Sequence, residues 1–356
     1  MTAAIDDGAA SGGRPVVVNT RILHGNITGA QRYLAELLSR VGPHDRIAPR
    51  SPATGMLGHL WEQGPLALHR RDAVLWSPAN TGPVIRRRQV VSIFDMSPVD
   101  HPEWFTPRFA AWYKMIVTSV ARRAARVQTI SQFSAGRIAE LSGRPREEIE
   151  IGYPGVDSRF FGASPDEALA RYDLVGRPYV LIIGTLEPRK NLQRAIEAWR
   201  LAQPKLGSDV VLAIGGRLSN PRIFAQATLG ADVPNVRLLG YVDDALLPGL
   251  YAGASAFLYP SLYEGFGLPP LEALAAGAPV VTSRDTAMAE VVGPDALLID
   301  PHDAGSIADG LVEVLRGSTA ATIHARRAAG LERARSFTWD RCAEGVRRAL
   351  RAAAEA

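Results

Sequence analysis

The 356 residues are enough for about two domains, and 47% hydrophobic with 21% charged residues is the composition of a globular chain able to bury a large core. A single cysteine, Cys342, excludes an internal disulfide, which suits a cytosolic home. The net charge of +4 lies in the N-terminal half, with 21 Lys/Arg against 17 Asp/Glu up to residue 175 and 19 of each beyond it. A faint basic excess suits acidic lipid headgroups or nucleic acid, and the lack of zinc-ligand spacing, an RNA-binding motif or a basic–aromatic repeat speaks against nucleic acid.

In chain order, residues 1–14 lack a basic start and an apolar core, and read as a loose tail rather than a signal peptide. No run approaches the roughly eighteen apolar residues of a transmembrane helix. A β-branched strand is predicted over Pro15–Asn19. A helix follows with Thr28 as N-cap and Gln31 three residues on, the capping-box arrangement. The glycine-bearing loop between them (Gly25, Asn26, Gly29) should open on the ligand side of a parallel sheet. Residues 42–72 give no usable periodicity. Strands are expected at Ala73–Trp76 and Gln89–Phe94, with Arg86, Arg87 and Arg88 at the amino end of the second, read as a solvated face or a lipid contact. Thr106–Arg126 reads as a long helix with Phe109, Tyr113, Ile116 and Val120 on one face and Lys114, Thr118, Arg122 and Arg126 on the other. It is either core-packed with a solvated basic side or a membrane-surface helix with Trp112 and Met115 at its flank. Strands at Arg126–Ile130 and Glu150–Tyr153 complete a first sheet, with Ser131 placed to cap the helix between them. Residues 158–177 read as a linker, with a short helix expected at Pro165–Arg171.

The second half alternates strands and helices from Tyr179–Ile183 onward, with strands near 209–214, 235–239, 254–259, 279–282 and 296–299. Gly184 to Asn191 follows the first of these strands. There the neighbouring Arg189 and Lys190 form a diphosphate clamp, a planar fork beside a compact point charge. Gly215 and Gly216 end the next strand and are expected to line a ligand crevice. The stretch 256–282 is a strand–loop–helix–strand unit. Its loop, Glu264-Gly265-Phe266-Gly267, opens at the carboxyl end of the strand, where open parallel sheets bind ligands. Glycines and the helix start at Leu268 offer amides to an anion. The acids Glu264 and Glu272 would repel phosphate, and make better sense as acceptors for sugar or ribose hydroxyls.

Glu264 and Glu272, eight apart around Gly-Phe-Gly-Leu-Pro, resemble the paired-glutamate motif of the retaining glycosyltransferases of family 4. The resemblance extends over the C-terminal half, with weaker echoes before it. It implies an α/β fold of two Rossmann-like, doubly wound domains facing a cleft (GT-B). It also implies a nucleotide-diphospho-sugar donor bound by Gly29, Gly184, Gly215, Gly216, Tyr241, Gly265, Phe266, Gly267, Leu268 and Glu272. Glu264, Arg189, Lys190, Asp95 and His101 would be catalytic, and Gly25, Asn26 and Ser131 would lie on the acceptor side. Phe94 departs from the pattern, since it stands where the family carries a histidine before the aspartate; His101, six residues past Asp95, is the candidate substitute. The domains expected are 15–157 and 178–337, with a terminal helix from 338 crossing back to the first.

The function expected is transfer of a hexosyl or deoxyhexosyl group, mannosyl favoured, to a glycan or lipid-linked glycan in surface polysaccharide synthesis. No cofactor or metal is expected, because no Asp-x-Asp pair is present. The enzyme would be cytoplasmic, with peripheral membrane contact through its basic N-terminal domain. A nucleotide-sugar 2-epimerase and a catalytically silent nucleotide-sugar-binding subunit are the rival readings.

Overall fold

A computed structural model describes residues 14–24, 29–49, 55–185, 187–216, 233–294 and 296–356. The chain divides into two compact units, one of Met1–Gly155 with Phe337–Ala356 and one of Val156–Ser336.

In the first unit, β1 (Val16–Asn19), β2 (Asp45–Ile47), β3 (Val74–Ser77), β4 (Gln89–Ser92), β5 (Arg126–Thr129) and β6 (Ile149–Ile151) form one sheet. Their order is β2-β1-β3-β4-β5-β6, parallel throughout. β1, β3 and β4 are buried along their whole length, as strands covered on both faces must be. β2 is the edge strand that no hydrophobic run announces: its sequence is Asp-Arg-Ile, and two of the three residues are exposed. The helix Pro107–Arg123 turns Ala110, Tyr113, Ile116, Val117, Val120 and Ala121 inward against Val91, Ile93 and Val127. Phe109, expected on that core face, is 39% exposed instead.

Arg86 corrects the sequence reading more sharply. It does stand before β4, but it is buried, donating to the carbonyls of His69, Arg70 (2.9 Å) and Ala73 (2.7 Å). Burial pushes its guanidinium down from the usual range. It is an internal tie, because a fork of donors can satisfy several orphan carbonyls at once.

The last helix, Trp339–Glu355, begins at Thr338, whose hydroxyl accepts from the Arg341 amide, and belongs to the first unit. It lies so close to the end of β6 that a Cβ on Gly155 would come within 2.2 Å of the Trp339 nitrogen, and one on Gly345 within 2.5 Å of the Ile151 oxygen. Cys342 is buried there, its Sγ donating to the Gly152 carbonyl at 3.3 Å.

In the second unit, β7 (Tyr179–Ile183), β8 (Val211–Gly215), β9 (Val236–Gly240), β10 (Ala256–Tyr259), β11 (Val280–Ser283) and β12 (Leu297–Ile299) form a second parallel sheet. Its order is β12-β11-β10-β7-β8-β9. Renumbered within the unit this is 6-5-4-1-2-3, the doubly wound dinucleotide-fold order, with its switch point between β7 and β10. The helix Leu192–Leu206 covers one face through Leu192, Ile196, Trp199 and Leu206, packed with Ile307 and Leu311. Trp199 is wholly buried with its indole nitrogen donating to Pro234 O at 3.0 Å, the partner a buried indole needs. The stretch 158–177, expected as a linker, is instead folded into this unit. Phe160 is fully buried with its ring 5.9 Å from that of Tyr251, and Arg237 clasps the carbonyl of Tyr172 at 2.8 Å. Apolar side chains at 160, 168 and 174 give the segment a face to bury, which a tether lacks.

Candidate active site

The switch point of the second sheet is shaped by the loops that leave β7 and β10. After β7 the chain passes Gly184 (φ +153°), makes a single tight turn at Pro188–Lys190, and enters its helix through Asn191 in the left-handed region (φ +60°). The Asn191 amide donates to Pro260 O (3.1 Å) and Pro301 O (2.6 Å), and the Leu262 amide donates to Arg189 O (2.8 Å). These bonds stitch the cationic turn to the loops after β10 and β12, so both cations have a fixed address.

What they address is Glu264. Its Oε1 lies 2.5 Å from Lys190 Nζ and 2.9 Å from Arg189 Nη1, and accepts from the Tyr259 hydroxyl at 3.0 Å. Lys190 also donates to that hydroxyl, with its Nζ 4.5 Å from the centre of the Tyr259 ring. Arg189 is paired again, its Nε 3.0 Å from Glu187 Oε2. Burial by itself would raise the Glu264 carboxyl, but the Lys190 ammonium and the Arg189 guanidinium reverse that and hold it at about 2. Burial lowers the Lys190 ammonium below the usual lysine range, against the pull of Glu264. Burial, then Glu264, pushes the Tyr259 phenol well up, so it stays a donor. The acid is charged, held through one oxygen, and only 8% exposed.

The glycine loop continues into the helix Leu268–Ala275, with Gly267 before it at φ +103° and Pro269 and Pro270 in its first turn, where no amide donor is needed. A Cβ on Gly267 would stand 3.0 Å from Met288 Cγ as well as in a strained backbone region. Glu272 sits on this helix, buried, accepting from the Tyr251 hydroxyl at 3.4 Å. Gly215 and Gly216 have packing reasons of their own. A Cβ on Gly215 would meet Ile183 Cδ1 at 2.6 Å, and one on Gly216 would fall 1.8 Å from the Gly184 oxygen. Tyr241 follows β9 and is 62% exposed.

The first unit's candidates are placed individually. Asp95 Oδ1 accepts from the amide (2.9 Å) and hydroxyl (2.7 Å) of Ser97, closing the start of the short helix Ser97–Asp100. The Phe94 ring meets Tyr33 edge-on at 4.9 Å. His101 lies beyond that helix, stacked on Trp104 at 4.0 Å with Nδ1 3.1 Å from Glu103 Oε1. Ser131 is fully buried and caps its helix, accepting from the Ser134 amide at 3.0 Å. Gly29 opens the helix Gly29–Leu38, whereas Gly25, Asn26 and the expected cap Thr28 lie outside the described residues.

Sequence reasoning missed two groups. Tyr259 read only as the last strand residue, though that is the strand position nearest the site. Glu62 fell in the stretch without periodicity. It is 1% exposed and holds the loops after β1 and β3: Oε1 accepts from Asn19 (3.1 Å) and Arg21 (3.0 Å), and Oε2 from Thr81 (2.9 Å) with His59 Nδ1 at 3.3 Å. No local signal marks such a hub, since its partners come from three separate segments.

Residues 167–330 match the family described as "Glycosyl transferases group 1". The chain is 32% identical over 277 residues to an O-antigen chain mannosyltransferase B of Escherichia coli, covering 76% of this chain and 72% of that protein. It is 27% identical over 255 residues to the serotype-specific mannosyltransferase WbdA of the same species, covering 69% of this chain and 31% of that longer protein. Among solved structures it resembles the Anabaena protein HepE in complex with UDP and glucose, with a TM-score of 0.71, 18% identity, and 94% and 98% of the two chains covered, a likeness of fold.

Proposed function

We propose that this chain, which belongs to the group 1 glycosyltransferase family, moves a hexosyl or deoxyhexosyl group from a nucleotide-diphospho-sugar to a glycan or lipid-linked glycan in surface polysaccharide synthesis. One observation carries the reading: Arg189, Lys190 and Glu264 meet within 2.9 Å at the switch point of the second sheet. Mannose is the favoured sugar, supported by the two E. coli relatives, both mannosyltransferases.

Breaking the anomeric bond leaves a sugar with positive character and a departing nucleoside diphosphate that gains negative charge. Arg189 and Lys190 offer charge-assisted donors to that oxygen, and the amides of Gly265 to Leu268 add to them at a helix start. Glu264 then has two duties. Through Oε1 it aligns both cations before the donor arrives, and through Oε2 it accepts from a donor-sugar hydroxyl. With Glu187 included, the cluster of two cations and two acids is neutral. Diphosphate binding is therefore an exchange of partners for Arg189 rather than attraction to a bare positive surface. Tyr259 keeps Lys190 from swinging away. Glu272 would hold ribose hydroxyls. The transfer is read as retaining: the new bond to the acceptor oxygen forms on the face the diphosphate leaves, and the acceptor's proton passes to the leaving phosphate oxygen. The two cations supply the positive field, so no metal is invoked.

The test is incubation of the purified chain with GDP-mannose, UDP-glucose and dTDP-rhamnose. Slow release of free nucleoside diphosphate, abolished in Glu264→Ala, is the expected result; release from none of them by the native chain would overturn it. Phe94 favours one second reading, a silent nucleotide-sugar-binding subunit. In that case a donor would raise the melting temperature without turnover.

A further inference from the structure

We propose that the first unit carries a separate anion site, an arginine-lined cavity that takes the diphosphate or triphosphate group of a soluble phosphorylated ligand. The cavity, about 300 Å³, is lined by Ala67, Arg71, Ile85, Arg86, Arg87 and Arg88. Arg71 stands shortly before β3 and the other arginines immediately before β4, so the cavity lies at the amino ends of those strands. Parallel sheets bind substrates at their carboxyl ends, and none of these residues belongs to the candidate active site.

The arginine run is held rigid from inside. Gln89, fully buried at the start of β4, donates to Pro83 O (2.7 Å) and Arg86 O (2.6 Å) and so pins the turn that carries the run. The Arg87 carbonyl accepts from the Ala125 amide at 2.8 Å, and the Arg88 carbonyl from the Leu75 amide at 3.3 Å. A cationic wall fixed before its ligand arrives loses little freedom on binding. Arg86 uses its guanidinium on the carbonyls of His69, Arg70 and Ala73, and therefore contributes charge rather than donors.

The donors belong to Arg71, Arg87 and Arg88. Among the described residues no ion pair joins any of the three to a carboxylate, and the neighbouring acids Asp45 and Asp72 are both taken by Arg70, at 2.7 and 3.2 Å. Arg88 Nε is buried without a hydrogen-bond partner, an arrangement that is costly until an acceptor meets it. Burial, and after it the charges of Arg88 and Arg71, push the Arg86 guanidinium down against the pull of Asp72. These cations repel one another, and an anion between them relieves the repulsion. A carboxylate brings one charge and two oxygens, too few for three guanidinium forks. A diphosphate brings several charges and oxygens on every side, the partner that such forks suit. No aromatic side chain lines the cavity to stack a base, which argues against a nucleic-acid strand. A flat bilayer can reach the exposed Arg71 and Arg87 but cannot bring a phosphate to the buried Arg88 Nε.

The experiment is calorimetric titration of the full chain with inorganic pyrophosphate at fixed ionic strength. Arg189 and Lys190 can also take a diphosphate, so the titration is run on the Lys190→Ala chain as well as the native one. Pyrophosphate should still bind the Lys190→Ala chain at one site. Adding Arg71→Gln with Arg87→Gln, both exposed positions, should weaken that binding at least about tenfold, and adding Arg88→Gln should do the same, since a hydrogen bond to a charged group is worth about that factor or more. In the otherwise native chain the same arginine substitutions should leave nucleotide release within about twofold, because the cavity lies apart from the candidate active site. No binding to the Lys190→Ala chain, or binding that survives both sets of arginine substitutions, would overturn the cavity site. So would vesicles of phosphatidylglycerol that hold the native chain through these arginines while pyrophosphate does not bind. Absence of nucleotide release by the native chain, with pyrophosphate still held in the cavity, would count instead against the sugar-transfer reading.

Discussion

The two sheets each fix a glutamate beside their switch point, and the two acids are held very differently. Glu62 in the first unit is 1% exposed, and both its oxygens are occupied, by Asn19, Arg21, Thr81 and His59. Glu264 in the second is slightly more open, and its three contacts converge on one oxygen. Both carboxyls are pulled below the usual range despite burial that would raise them. A saturated acid joins loops and has nothing left to offer a substrate. One held by a single edge is aligned and still has an acceptor to give, which is why the reaction is assigned to Glu264 and the architecture to Glu62.

The sharpest break in that comparison is Lys190→Ala. Removing a preorganised donor to the departing diphosphate should cost about 100- to 1000-fold in turnover, read as nucleotide release. An unchanged rate would move the chemistry elsewhere. Next come the acids themselves. Glu62→Gln leaves Arg21, and Glu264→Gln leaves Arg189 and Lys190, short of a partner in a largely buried setting, and each should cost about 3 kcal/mol in denaturant unfolding. Only Glu264→Gln should also reduce turnover per folded molecule. If Glu62→Gln reduces it equally, the assignment of a purely architectural role fails.

Acid sharpens the contrast further. A carboxyl whose folded pKa is depressed contributes stability above its unfolded value and loses it as pH falls through the folded one. For Glu264 that window runs from the ordinary 4.5 down to about 2. The stability gap between native chain and Glu264→Gln should thus be full at neutral pH and close across that interval, as followed by thermal unfolding at stepped pH. The smallest effect belongs to Ser131. Its buried hydroxyl caps a helix, and Ser131→Ala should cost about 1 kcal/mol of stability while leaving nucleotide release unchanged. Loss of transfer without loss of stability would give it the acceptor-side role that the family resemblance implies.

What the sequence by itself determined is whatever is written in neighbouring residues. β-branched runs give the buried strands of both parallel sheets, since strands covered on two faces cannot hide their composition, whereas the exposed edge strand β2 carries no such run. Glycines and prolines mark the loop and helix start at 264–270, Arg189, Lys190 and Glu264 stand out because charge after a strand's carboxyl end is conspicuous, and Glu272 stands out by its spacing from Glu264. The tertiary structure decided how distant segments use the same side chains. Arg86 looked solvated in a run of three arginines, yet carbonyls at 69, 70 and 73 draw it inside. Residues 158–177 looked like a tether until Phe160 found Tyr251. Glu62 looked like nothing at all, because its partners lie up to 43 residues away in sequence. Local pattern reports backbone conformation and the side a residue faces. Which carboxylate meets which cation depends on chain crossings, and only the folded sheet, by bringing β7 beside β10, puts Lys190 within reach of an acid 74 residues on.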